Sequence, residues 1–169
     1  MPDLSCSCEL HRFYRAHPMR YIFAPLLLAS IATLQQNEGM VRVRSSRDFS
    51  ETVRALDSVI TAANLRIFAR VDHSANARGV NLDLRPTTVF IFGNPQVGTR
   101  LMQCEQSIAL DLPLKALVWE DSTKAVWVGY EPPARLAERH KVQGCREVID
   151  RVNTALSGLT AAATGTARR

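Results

Sequence analysis

Five short strand-like runs, three of them alternating with period 2, separated by segments of helical period, constrain this chain more than any other feature of its sequence. In the first, Gly39 to Ser45, Val41 and Val43 alternate with Arg42 and Arg44, as in a strand with one buried and one wet face. Leu65, Ile67, Ala69 and Val71 alternate with Arg66, Phe68, Arg70 and Asp72 in the second. Thr87 to Phe92 is β-branched or aromatic on both faces, which predicts an interior strand covered on each side. Leu114 to Trp119 and Val126 to Tyr130 flank a polar turn at Asp121 to Lys124 and predict an antiparallel hairpin, stopped by Pro132-Pro133.

Between the strands the period changes. Asp48 stands three residues before Glu51 as an N-cap and its partner, and Phe49, Val53, Leu56, Ile60 and Ala63 recur at helical spacing, so a helix should end near Asn64. Shorter helical segments are predicted through Arg78, over Val97 to Glu105 and over Ala134 to His140. A last helix runs from Arg146 to Leu159 with Val148, Ile149, Val152, Leu156 and Leu159 on one stripe, and a tail of small residues follows Thr160. The expected architecture is α+β: a single two-layer domain, a mainly antiparallel sheet of about five strands with helices packed on it, spanning residues 39–160, with a flexible tail over 161–169.

The first 32 residues read differently. Arg12, Arg15 and Arg20 precede an uncharged, mostly apolar run from Tyr21 to Leu34, and Ser30-Ile31-Ala32 has the small residues a signal peptidase accepts, so residues 1–32 are expected to be a leader and signal peptide. Met19 before Arg20 suggests that residues 1–18 are an over-extended gene start. The run is shorter than the roughly 20 residues that span a bilayer, so no permanent membrane span is expected. The expected localisation is periplasmic or secreted, and cytoplasmic if the leader is not cleaved. Cys6-Ser7-Cys8 with His11 has the chemistry of a soft-metal site, but it lies in the discarded leader, and neither metal nor cofactor is expected.

A net charge of +5, with 18 of 21 basic residues arginine and these scattered along the chain, disfavours nucleic-acid binding. Cys104 and Cys145 have the chemistry for a disulfide in an oxidising compartment, though nothing in the sequence brings them together.

Asp72-His73 followed by Ala75 and Ala77, then Phe92-Gly93-Asn94-Pro95, Ala109-Leu110-Asp111-Leu112-Pro113-Leu114-Lys115 and Val118-Trp119-Glu120-Asp121 come in an order and spacing that resembles the domain-of-unknown-function 302 family, from about residue 39 to 142. The resemblance implies a compact, largely antiparallel α+β fold in small bacterial proteins, some of them exported, and implies no catalytic roles.

Six residues are candidates for binding a ligand: His73, Asn94, Asp111, Lys115, Glu120 and Tyr130. His73 beside Asp72 has the chemistry of an oriented acid or base, against a plain helix cap. Asn94 sits in a glycine-bearing turn before a helix, a layout that presents backbone N–H groups to anions but equally serves as a tight turn. Lys115 is a candidate for charge stabilisation, or the ion-pair partner of Asp111 or Glu120. Glu120 and Asp121 point to opposite strand faces and read as a turn; Tyr130 and His140 flank the proline bend at the hairpin end. Three functions follow as expectations: binding a small ligand or a protein partner without catalysis; a hydrolase or lyase through His73, Asp72 and Lys115; or a homodimeric interaction module.

Overall fold

A computed structural model describes residues 39–166, and the leader assigned to residues 1–32 lies outside the described residues. Five strands, β1 (Val41–Arg44), β2 (Arg66–Asp72), β3 (Thr87–Gly93), β4 (Leu114–Glu120) and β5 (Val126–Tyr130), form one sheet in the order β1-β5-β4-β3-β2. Every neighbouring pair is antiparallel. Five helices accompany them: α1 (Phe49–Ala62), α2 (His73–Gly79), α3 (Pro95–Cys104), α4 (Pro133–Arg139) and α5 (Arg146–Thr164), with a single 3-10 segment at Gln106–Leu110. The α+β sheet architecture read from the sequence is therefore the one observed.

The core lies between α1, α5 and one sheet face. Strand register puts Val128, Val118 and Thr88 side by side, then Tyr130, Ala116, Phe90 and Arg70, then Leu114 and Phe92. Leu56 and Ile60 of α1 and Leu156 and Ala163 of α5 pack onto that face. The opposite face carries Val89, Ile91, Leu117, Trp119 and Trp127, half-buried. β3 is interior to the sheet, as its residues predict, and Trp119 and Trp127 stack 6.4 Å apart on the face away from the core.

Two local readings change. A bulge between Ile67 and Ala69 adds a residue to β2, so Ile67 faces the helices while Ala69 and Val71 face away. The same shift turns Arg70 toward the helix layer, where it pairs with Asp57 and lies 4.9 Å over the Phe90 ring. Residues 161–164, assigned to the tail from the sequence, belong instead to α5, which continues to Thr164 with Thr160, Ala163 and Thr164 buried. Arg47 explains this extension: its guanidinium donates to the carbonyl of Ala162 at 3.1 Å and to that of Ala163, and Ser46 N–H donates to Thr164 at 2.9 Å, satisfying the helix's last acceptors with a cation at its negative end. Gly165 follows with φ +73°, a left-handed stop.

Asp48 caps α1 through its side chain as predicted, accepting from Glu51 N–H at 2.8 Å. Among the described residues, no helix is long and apolar enough to cross a membrane.

Candidate functional site

The six candidates divide between the two ends of the sheet. Asp72 pairs with Thr88 and Lys115 with Ile91, three residues further along β3, or about 10 Å at strand rise. His73, one residue beyond Asp72, is thus remote from Lys115. Glu120, paired with Val126, belongs to the His73 end, and Asn94, Asp111, Lys115 and Tyr130 belong to the other.

Most of these side chains have local partners. Asp72 caps α2, accepting from Ala75 N–H at 2.8 Å and from the Ser74 hydroxyl at 2.6 Å. Asn94 caps α3, accepting from Gln96 and Val97 N–H. The Lys115 ammonium donates to the backbone carbonyls of Asp111, at 3.0 Å, and Pro113, rather than to a carboxylate. Asp121 organises the hairpin turn, accepting from Thr123 and Ala125 N–H and from the Trp127 indole at 2.8 Å. Tyr130 is buried in the core, where desolvation raises its pKa.

Asp111 belongs to a cluster that sequence reading saw only in part. Its Oδ2 accepts from His140 Nε2 at 2.7 Å and from Arg139 at 2.9 Å, and Arg139 also binds Glu131. His140 Nδ1 lies 3.0 Å from the Ser107 hydroxyl. With Asp111 ionised, Nε2 carries the donated proton, and Nδ1 is in hydrogen-bond contact with the Ser107 hydroxyl. Hydroxyl, imidazole and carboxylate in line are parts of an acyl-transfer relay, but such chemistry also needs a seated carbonyl and free donors for the developing oxyanion. Ser107 does not line the cleft between α3 and α5, and its N–H is already engaged by Glu105 at 3.0 Å. The cluster acts as a clasp between the 3-10 segment and α4.

Four carboxylates are held below their ordinary pKa: Asp72 chiefly by the Ser74 hydroxyl, Glu105 by Ser107 N–H, Asp111 by His140, and Asp121 by the Thr123 hydroxyl. A carboxylate whose folded pKa is depressed contributes stability that is complete above its unfolded value, about 4, and is lost as pH falls through the lower folded value. The melting temperature should therefore hold level from pH 7 to about 5 and decline below about 4. A thermal scan that rises on acidification through that window contradicts these assignments.

The space for a ligand lies elsewhere. A cleft of about 640 Å³ opens between α3 and α5 over the end of the sheet. Phe92 and Leu114, a cross-strand pair, form its floor. Val97, Gly98 and Leu101 of α3 form one wall, Val148, Val152, Ala155 and Leu159 of α5 the other, with Leu65, Phe68 and Leu112 at its margins. The α5 stripe thus serves two surfaces: Ile149 is buried beneath, while Val148 and Val152 line the cleft. The Cys104–Cys145 disulfide, Cα atoms 6.3 Å apart, ties the end of α3 to the start of α5. Of the six candidates, Asn94 alone lines this cleft, and Arg66, Arg100 and Arg151 supply its charged side chains.

A family model described as "Domain of unknown function DUF302" matches residues 41–159. The fold is similar to that of an uncharacterized conserved DUF302 protein from Bacillus stearothermophilus, with a TM-score of 0.68 at 16% identity over 75% of this chain and 98% of that one. The chain is 43% identical over 106 residues to a protein of Brucella suis biovar 1 named "Fluoride-specific ion channel FluC 1", covering 63% of this chain and 42% of the relative. A Brucella abortus biovar 1 protein of the same name matches with the same identity and covers 39% of its own length. The chain thus spans about two-fifths of the length of the curated relatives it matches.

Proposed function

The chain belongs to the family described as domain of unknown function DUF302, and on that premise we propose that its body binds a small apolar ligand in the α3–α5 cleft without transforming it. The observation that carries this reading is the cleft itself, about 640 Å³ and walled by aliphatic and aromatic side chains. That volume is within the range that takes up small organic molecules, and an apolar interior with few polar groups is the usual composition of such sites. Its lining holds no histidine, cysteine or carboxylate. The arginines there stay protonated at any physiological pH and serve neither as base nor as nucleophile, which favours binding over catalysis.

The disulfide joining the cleft walls, together with the basic and apolar leader pattern, supports an exported domain working in an oxidising compartment. An interaction role draws on a different surface, the sheet face bearing Trp119 and Trp127. The Brucella relatives carry the matching region within longer proteins named as ion channels, which favours a domain that also works beside a partner.

The neutral dye N-phenyl-1-naphthylamine tests the cleft. Its fluorescence should rise saturably, with one site per chain. Ala155→Trp fills the cleft from the exposed side of α5. Excluding four methylene equivalents at about 0.8 kcal/mol each forfeits about 3 kcal/mol, or roughly 100-fold in affinity. The melting temperature of the variant should stay close to that of the parent. Undiminished dye binding by a folded Ala155→Trp chain removes the cleft as the site.

A further inference from the structure

From the charges around the cleft we infer that its ligand is a single-chain amphiphilic anion, a long-chain carboxylic acid being the simplest, with the tail between α3 and α5 and the head group among Arg66, Arg100 and Arg151. The inference deepens the reading above and rests on it. Arg66 comes from β2 at the margin, and Arg100 and Arg151 from the α3 and α5 walls, while no carboxylate lines the cleft. All three arginines are exposed, and none makes an ion pair among the described residues, whose salt bridges use Arg70, Arg139, His140 and Arg146.

Their own contacts leave the terminal guanidinium nitrogens without a hydrogen-bond partner among the described residues. Arg66 lies 4.9 Å over the Phe68 ring, held at the margin of the cleft by an aromatic side chain that also lines it. Arg151 donates through Nε to the carbonyl of Glu147 at 3.2 Å, which leaves its terminal nitrogens for another acceptor. A guanidinium presents paired donors that match the two oxygens of a carboxylate. Three cations at an apolar hollow attract an anionic head group, whereas a neutral head gains no such attraction and a cationic head is repelled.

The test compares dodecanoate, dodecanol and dodecylammonium by calorimetric titration of the full chain, below micelle-forming concentrations. Dodecanoate should bind at least about 10-fold more tightly than dodecanol, the scale of one charge-assisted hydrogen bond, and dodecylammonium more weakly than either. The combined variant Arg66→Gln, Arg100→Gln, Arg151→Gln should bring the ratio of acid to alcohol affinity close to one, while Arg54→Gln, on exposed α1 surface, leaves the ratio as it is. Equal binding of alcohol and acid by the parent chain overturns the head-group assignment and leaves the apolar cleft standing. Failure of all three probes overturns the cleft reading and the inference with it.

Discussion

Removing the Cys104–Cys145 disulfide should lower the melting temperature of the folded body by roughly 10–15 °C. The bond closes a segment with a sequence separation of 41 residues. In the chain-entropy account, a loop of that length restricts the unfolded chain by about 4 kcal/mol. A body of about 130 residues unfolds with an entropy near 0.27 kcal/mol/K, which converts that loss into roughly 15 °C. The double variant Cys104→Ser, Cys145→Ser, compared by calorimetry with the oxidised parent, measures the effect without leaving a lone thiol. Because the bond joins the C-terminal end of α3 to the N-terminal end of α5, the variant should also bind the naphthylamine dye less tightly. A shift under about 3 °C, or reactive thiols at both positions in the isolated oxidised protein, contradicts the pairing.

How far the sequence disclosed this molecule depended on whether a feature is local. The β4–β5 hairpin was legible because Val126, Val128 and Tyr130 on the helix side alternate with residues on the open side, and Asp121 supplies the turn chemistry within five residues. The caps at Asp48 and Asp72 were legible for the same reason, since each bonds an amide three residues on, whereas Asn94 read as a turn and its cap on α3 emerged only in the fold. The β2 bulge was not. Arg66 to Asp72 shows unbroken alternation, and only pairing with β3 decides that one residue is extra. The end of α5 was missed because its last turns are small residues, stabilised by an arginine 115 positions upstream.

The cleft was illegible for a physical reason as well. Phe92, Leu101, Leu114, Val152 and Leu159 are ordinary core residues by type and period, and nothing in a residue records that the opposite wall stands back from it. Arg66, Arg100 and Arg151 look like any solvated arginines until the fold gathers them. The Asp111–His140 contact bridges 29 positions, so the sequence could nominate each residue but not join them. By contrast, His73 and Lys115 were linked by chemistry alone, and strand register sets them at opposite ends of the sheet.

Phe90→Ala and Phe92→Ala separate a closed core from one that borders a cavity. Both side chains are essentially fully buried, lie two residues apart on β3 and face the helices. Large-to-small substitution at such sites costs about 3–5 kcal/mol, the sum of lost transfer energy and the cost of the void left behind. Phe90 sits mid-strand between Ala116 and Arg70, whose guanidinium covers its ring, so a void there is enclosed and a cation–π contact is lost with it. Its truncation should fall near the top of the range. Phe92 is the floor of the α3–α5 cleft, and the space it vacates merges with a cavity whose helical walls can close inward. Its truncation should fall near 3 kcal/mol, at least about 1 kcal/mol below the Phe90 variant. Urea unfolding with matched denaturant slopes measures both values on one scale. A Phe92 variant as costly as the Phe90 variant means that α3 and α5 close over Phe92 in solution, which removes the floor from the binding site along with the carboxylate inference built on it.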